Sequence, residues 1–150
     1  MSLKDRLLID FKQSLKAKDE IRKNTINLVR AAIKQQEVDH RTELNDQDII
    51  AILTKQVKMR KDALSDFEKA GRMDLLDTYN KEIEILMEYL PKQLSKEEII
   101  DVVKATAAEL GIETGKQNMG KLMGAVMPKV RGVADGKVVR EIIEEFLHQT

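Results

Sequence analysis

The chain has 150 residues, 26 basic against 26 acidic side chains, 42% hydrophobic residues, two Tyr, three Phe and neither Cys nor Trp. Zero net charge excludes a protein that binds nucleic acid through bulk basicity, and the missing thiols exclude disulfides, thiolate metal sites and thiol nucleophiles. A cysteine-free chain suits a reducing compartment, and neither a signal peptide nor an apolar run of about 18 residues is present, so the expectation is a cytoplasmic protein with no membrane role.

The apolar spacing predicts helices throughout and no strand. Ser2 caps a first helix in which Leu3, Leu7, Leu8, Phe11 and Leu15 share a face, with a break near Lys18-Asp19. A second helix turns Ile21, Thr25, Leu28, Val29, Ala32 and Ile33 inward and ends in the polar loop from Asp39 to Glu43. Asn45 with Asp48 reads as a capping pair for a third helix carrying Ile49, Leu53, Val57, Leu64 and Phe67. Gly71 is its natural stop, and Asp74 opens a fourth helix with Leu76, Tyr79, Ile83, Leu86, Met87 and Leu90 inward.

Pro91 ends this run, and Ser95 with Glu98 forms a capping box that starts another. Three further helices follow, at about 96–110, 116–130 and 135–148, with Gly111 and Gly132 closing the first two and Asp135 capping the third. The expected fold is therefore all-α: an N-terminal helical domain of about four helices over residues 1–92, then a C-terminal three-helix domain over residues 93–150. A unit this short holds a marginal core by itself.

The stretch from Gly120 to Arg140 separates residue types most sharply. Met119, Leu122, Met123, Val126, Met127 and Val130 recur at helical spacing and form one buried stripe, which leaves Gly120, Lys121, Gly124, Ala125 and Pro128 opposite. That face is nearly bare backbone with cations beside it, so an anion or another helix can approach the main chain. The segment is also locally positive. Lys116, Lys121, Lys129, Arg131, Lys137 and Arg140 face only Glu113 and Asp135 between Gly111 and Arg140.

In this segment Gly124, Val126, Met127, Arg131, Gly132, Ala134, Asp135, Lys137 and Val138 read as GxVMxxxRGxADxKV. Upstream stand Arg60-Lys61-Asp62, Phe67, Lys69-Ala70-Gly71-Arg72 and Tyr89-Leu90-Pro91. With these blocks in this order the chain resembles, over nearly its full length, the YqeY-like (GatB/Yqey) family, the small stand-alone relatives of the C-terminal tail of the B subunit of glutamine-dependent tRNA amidotransferases. In such an enzyme the tail is a helical body that grips tRNA, while ATP-dependent activation and amide transfer occur elsewhere. The resemblance implies a noncatalytic tRNA-binding module linked to translation, with tRNA as partner and an amidotransferase or aminoacyl-tRNA complex as a further one. A label of carbon–nitrogen ligase with glutamine as amide donor would rest on the resemblance alone.

The residues themselves mark no catalytic group. Gly115 to Lys121 fits seven positions of the phosphate-loop pattern, but the eighth is Leu122, which has no hydroxyl for magnesium, and no strand precedes it, so the string reads as a loop entering an amphipathic helix. His40 and His148 lie apart, without the spacing that puts two imidazoles on one metal. Glu82, Glu84, Glu141, Glu144 and Glu145 read as exposed helix carboxylates with no acid and base singled out. No Gly-x-Ser-x-Gly elbow and no amidase-like Ser- and Gly-rich stretch occurs. The expectation is no cofactor and no metal.

The candidate RNA-binding residues are Lys116, Lys121, Gly124, Lys129, Arg131, Gly132, Lys137 and Arg140. Arg131 beside Gly132, followed by a helix N-terminus at Asp135-Gly136-Lys137, suits a phosphate, although Asp135 as a cap opposes one and Arg131 equally suits capping the helix before Gly132. Lys55, Lys58 and Lys61 read as a solvated face, whereas Arg60 falls among apolar positions and fits a bridge between domains or a pair with a buried carboxylate. No ring interleaves with these cations, which favours backbone or shape recognition over base stacking. The alternative is a helical protein–protein adaptor without RNA binding, docking through Gly120, Gly124 and Pro128 or through the apolar stripe of the first two helices.

Overall fold

The structure, a computed structural model, describes residues 1–148, which form seven α-helices and a short 3-10 turn, with no strand among the described residues. The helices are α1 (Leu3–Ala17), α2 (Glu20–His40), α3 (Asp46–Lys69), α4 (Met73–Met87), α5 (Lys96–Leu110), α6 (Met119–Val130) and α7 (Gly136–His148), with the 3-10 turn at Lys116–Asn118. They divide into two compact units, Met1–Leu90 and Pro91–Thr150.

Capping chemistry sets most boundaries. Ser2 accepts from Asp5 N–H, Asp19 from Arg22 N–H, and both Asn45–Asp48 and Ser95–Glu98 form reciprocal capping boxes. Accepting the Ser95 N–H holds the Glu98 carboxyl below its ordinary value. Two helix ends lack the glycine that left-handed backbone favours. Lys18 (φ 57°) closes α1 and Arg41 (φ 51°) closes α2, each at a cost of about 1 kcal/mol, with their N–H groups bonded to the carbonyls of Ser14 and Leu15 and of Glu37.

In the first unit, α1 to α4 enclose a core around Leu7, Ile26, Val29, Ile49, Leu53 and Leu86. The buried face of α1 runs through Leu3, Leu7 and Ser14, which leaves Leu8 and Leu15 about 100° to one side. Leu8, Leu15 and Leu28, expected inside, are therefore outside, at 37%, 50% and 53% exposure. Ile26, Ile50, Ile52, Ile85, Tyr89 and Ser14 are buried residues of this unit that the spacing missed. Buried Thr25 donates its hydroxyl to the Ile21 carbonyl at 2.7 Å, so it costs no unpaired polar group.

In the second unit, α5, α6 and α7 pack around Val103, Leu122, Val126, Val130, Val139 and Ile143, all fully buried. Gly111 (φ 68°) ends α5 in the left-handed region, and the Gly132 turn (φ 80°) follows α6. Pro128 lies inside α6 and has no N–H for the carbonyl of Gly124 four residues back.

Candidate nucleic-acid interface

The turn between α6 and α7 is tied on several sides. Arg131 leaves the helix with extended backbone (φ −57°, ψ 126°), and Val133 N–H then bonds back to the Val130 carbonyl at 3.0 Å. The segment before α5 clamps the same turn: Leu94 N–H donates to the Val133 carbonyl at 2.7 Å, and the Gln93 amide donates to the Gly132 carbonyl at 3.0 Å. Asp135 caps α7, its Oδ1 accepting from Lys137 N–H at 2.8 Å and its carbonyl from Val139 N–H at 3.0 Å. One N–H that an anion could have used at this helix start is thus taken by a carboxylate.

Arg131 and Lys137 flank this turn, both exposed, and neither has an ion-pair partner or a side-chain hydrogen bond among the described residues. Arg131 does not cap the carbonyls of α6. Gly132 is buried beneath the turn, and Arg140, one helical turn past Lys137, pairs with Glu144 on the α7 surface at 3.2 Å. These four candidates lie at one end of the unit.

The other four are spread out. Lys129 leans onto α5, where its Nζ donates to buried Thr106 Oγ1 and to Glu109 Oε2, each at 3.0 Å; it fastens two helices and offers less charge to a ligand. Lys116 lines a cleft beside Glu141, Glu144 and Glu145 near the far end of α7. Lys121 and Gly124 are exposed on the outer face of α6, and a Cβ built on Gly120 or Gly124 meets nothing within 4 Å. Lys121 stands ten residues before Arg131, about 15 Å along the helix axis.

The phosphate-loop-like string does structural work. Gly115 N–H and the Thr114 hydroxyl both donate to the Leu147 carbonyl, at 3.1 and 2.8 Å, so the loop covers the C-terminal end of α7. Gly115 takes φ 106°, which only glycine holds without strain.

In the first unit, Arg60 pairs with Glu82 of α4 at 3.7 Å, so of its two expected roles it takes the buried carboxylate. Arg72 forks onto Asp74 through two hydrogen bonds, which holds the Asp74 carboxyl below its ordinary value. Sequence reasoning missed a polar cleft of about 380 Å³ in this unit. There the Tyr89 hydroxyl donates to Asp10, Arg6 lies 4.9 Å over the Tyr89 ring, and Arg22 bonds Glu88 at 2.6 Å. Burial first, and the Asp10 carboxylate second, push the Tyr89 hydroxyl well above the ordinary phenol value. The charged groups of this cleft are engaged, Arg22 with Glu88 and Asp19, Asp10 with the Tyr89 hydroxyl and Arg6 with the Tyr89 ring and the Glu88 carbonyl, which suits fastening the last turn of this unit.

Two all-helical units, one of them carrying a braced and solvent-facing cationic turn, define the class. The chain belongs to the YqeY-like family, whose model, described as Yqey-like protein, matches residues 4–147. Among curated relatives, a protein of Pyrenophora tritici-repentis named altered inheritance of mitochondria protein 41, mitochondrial, is 28% identical over 145 residues, covering 95% of this chain and 79% of the relative. The protein of that name from Saccharomyces cerevisiae strain YJM789 is 24% identical over 147 residues, covering 91% of this chain and 79% of its own. That of Vanderwaltozyma polyspora is 34% identical over 82 residues, 54% of this chain and 44% of the relative.

These names correct the expected compartment. The relatives are named as mitochondrial proteins, and the cytoplasmic assignment is withdrawn. The physical reason is that a chain without cysteine is compatible with every redox environment, so its composition carries no address.

Proposed function

We propose that this protein is a noncatalytic tRNA-binding module, related in role to the tail of tRNA-dependent amidotransferases, that holds phosphate at the Arg131–Lys137 turn. The observation that carries this reading is two unpaired, exposed cations on a turn braced from three sides. A braced turn loses little conformational entropy on binding, and a guanidinium presents its donors in a fork that matches phosphate oxygens. Behind the turn, the glycine face of α6 leaves room for a close backbone, and the Gly124 carbonyl released by Pro128 is an acceptor suited to a ribose 2′-hydroxyl. The scarcity of rings near these cations favours recognition of backbone shape over base identity.

The test is binding of total tRNA at two salt concentrations to the protein and to a Lys121→Ala, Arg131→Ala, Lys137→Ala variant. Lys129 is left intact because it joins α5 to α6. Affinity that falls with salt, with a shallower salt slope and weaker binding in the variant, supports the reading. No binding at low salt refutes it. A helical adaptor is then the better reading, favoured by the outward leucines Leu8, Leu15 and Leu28.

A further inference from the structure

Over residues 91–150, Lys and Arg equal Asp and Glu in number, so the polarity of the second unit comes wholly from their arrangement. In α7 that arrangement runs partly against the helix. After the Asp135 cap its first turn holds Lys137, Arg140 and Glu141 follow at the middle, and Glu144 and Glu145 stand in the second half. A helix favours acids at its N-terminus and bases at its C-terminus; the Asp135 cap and His148 in the last turn follow that rule, whereas Lys137 near the start and Glu145 near the end run against it. Arg131 and Lys137 outnumber the Asp135 cap at the start of α7, and Glu144 and Glu145 lie toward its other end, about 12 Å from Lys137 to Glu145 along the axis.

The negative end is also concave. A cleft of about 650 Å³ is walled by Glu141, Glu144 and Glu145, with Met119 and Leu147 supplying apolar lining. Lys116 and His148 share it. Glu141 and Glu145 have no ion-pair partner among the described residues.

We infer that this acidic cleft receives the Arg131–Lys137 turn of a second copy, so that copies associate head to tail. Both complementary surfaces are present on one chain: two unpaired cations on a braced turn, and carboxylates around a cleft whose apolar lining suits the alkyl stems of Arg and Lys. The contact joins two different patches, so it propagates instead of closing on a two-fold axis. Exposed ion pairs are individually weak and are screened beyond about 8 Å at physiological ionic strength, which confines the association to low salt. A polyanion that binds the turn competes with the neighbouring copy. The inference does not require tRNA binding and survives its failure.

Sedimentation of the full chain at about 10 mM and about 300 mM salt, where the screening length falls severalfold, tests this directly. Average mass should exceed the monomer and rise with protein concentration at low salt, and return to monomer at high salt. Two charge-swap variants give the decisive comparison: Glu141→Lys, Glu144→Lys, Glu145→Lys, and Arg131→Glu, Lys137→Glu. All five side chains are exposed, and circular dichroism checks that the helices persist. Each variant alone should stay monomeric at low salt, while their equimolar mixture associates. A wild-type monomer at low salt, an association unchanged at high salt, or a swap mixture that stays monomeric overturns the inference.

Discussion

Arg60 and Glu82 join α3 to α4 as charges that are almost wholly buried, at 11% and 13% exposure, with Nε to Oε2 at 3.7 Å. That separation is too long for a hydrogen bond, and Arg60 Nε, Glu82 Oε2 and Gln56 Oε1 have no hydrogen-bond partner among the described residues. Arg60 keeps one bond, from Nη1 to the Gln56 carbonyl at 3.1 Å, and sits 6.0 Å over the Tyr79 ring. At this distance and an effective dielectric near 20, the attraction is about 4 kcal/mol, while desolvating each ion costs several. The pair therefore contributes little net stability, yet removing one member strands the other. Arg60→Met or Glu82→Met should each cost about 3–5 kcal/mol, whereas the double variant should lie within about 1 kcal/mol of wild type or above it. Urea unfolding followed by tyrosine fluorescence reads the first unit alone, because Tyr79 and Tyr89 are the only tyrosines and no Trp is present. With a slope of about 1–2 kcal/mol per molar urea, each single variant lowers the midpoint by about 1.5 M or more. A double variant as weak as the singles would show that shape, not charge, is what these side chains supply.

Glu37 accepts from Lys4 and from Leu44 N–H, which hold its carboxyl below the ordinary 4.5. A lowered folded-state value gives stability that is present above the ordinary value and lost as pH falls through the folded one, so the deficit of Glu37→Gln should shrink as pH drops below about 4.5 in denaturation curves taken at stepped pH; a constant deficit refutes the linkage. Leu122→Ala opens a cavity at a fully buried site and should cost about 2–5 kcal/mol, enough in a short unit to remove much of the helical dichroism of α5–α7 while tyrosine fluorescence holds. Gly124→Ala meets nothing within 4 Å on an exposed helix face and should raise stability by about 0.5–1 kcal/mol while weakening tRNA binding, a pairing that a purely structural glycine would not give.

Helix starts were legible because a Ser, Asp or Asn oxygen bonded to a nearby N–H is a local event, as at Ser2, Asn45 and Ser95. The ends at Lys18 and Arg41 carried no glycine signal; both residues are exposed, and backbone hydrogen bonds to the last carbonyls of each helix close these ends. Leu8, Leu15 and Leu28 were misplaced because an apolar stripe states only that a face is oily, and the neighbour that covers it is chosen by tertiary structure. The cations of the candidate site were legible as a cluster in sequence but not in space. Reversal of the chain between α6 and α7 carries Lys116 to the glutamates of α7, and the helix phase turns Lys129 toward Thr106. Gln93 was not legible at all, because its bond to the Gly132 carbonyl spans thirty-nine residues.

The departures from local helix rules in the second unit are not scattered. Gly124 stands in the interior of α6, where it costs about 0.5–1 kcal/mol relative to Ala, and Gly120 stands in its first turn. Pro128 leaves the Gly124 carbonyl without its helical donor, and Lys137 near the start of α7 and Glu145 near its end oppose its dipole. The buried stripe of Leu122, Val126, Val130, Val139 and Ile143 obeys every rule, and all of the departures lie on the solvent side of α6 and α7. A sequence shaped for stability alone would place Ala, Glu and Lys there in the favourable order. Departures of this kind gather where a surface must meet something outside the fold. By contrast, the polar cleft of the first unit pairs Tyr89 with Asp10 and Arg22 with Glu88, leaving little of its charge for a ligand. The outward face of α6 and α7 is accordingly the surface on which the proposed binding, and the competition for it between copies and polyanions, should be sought first.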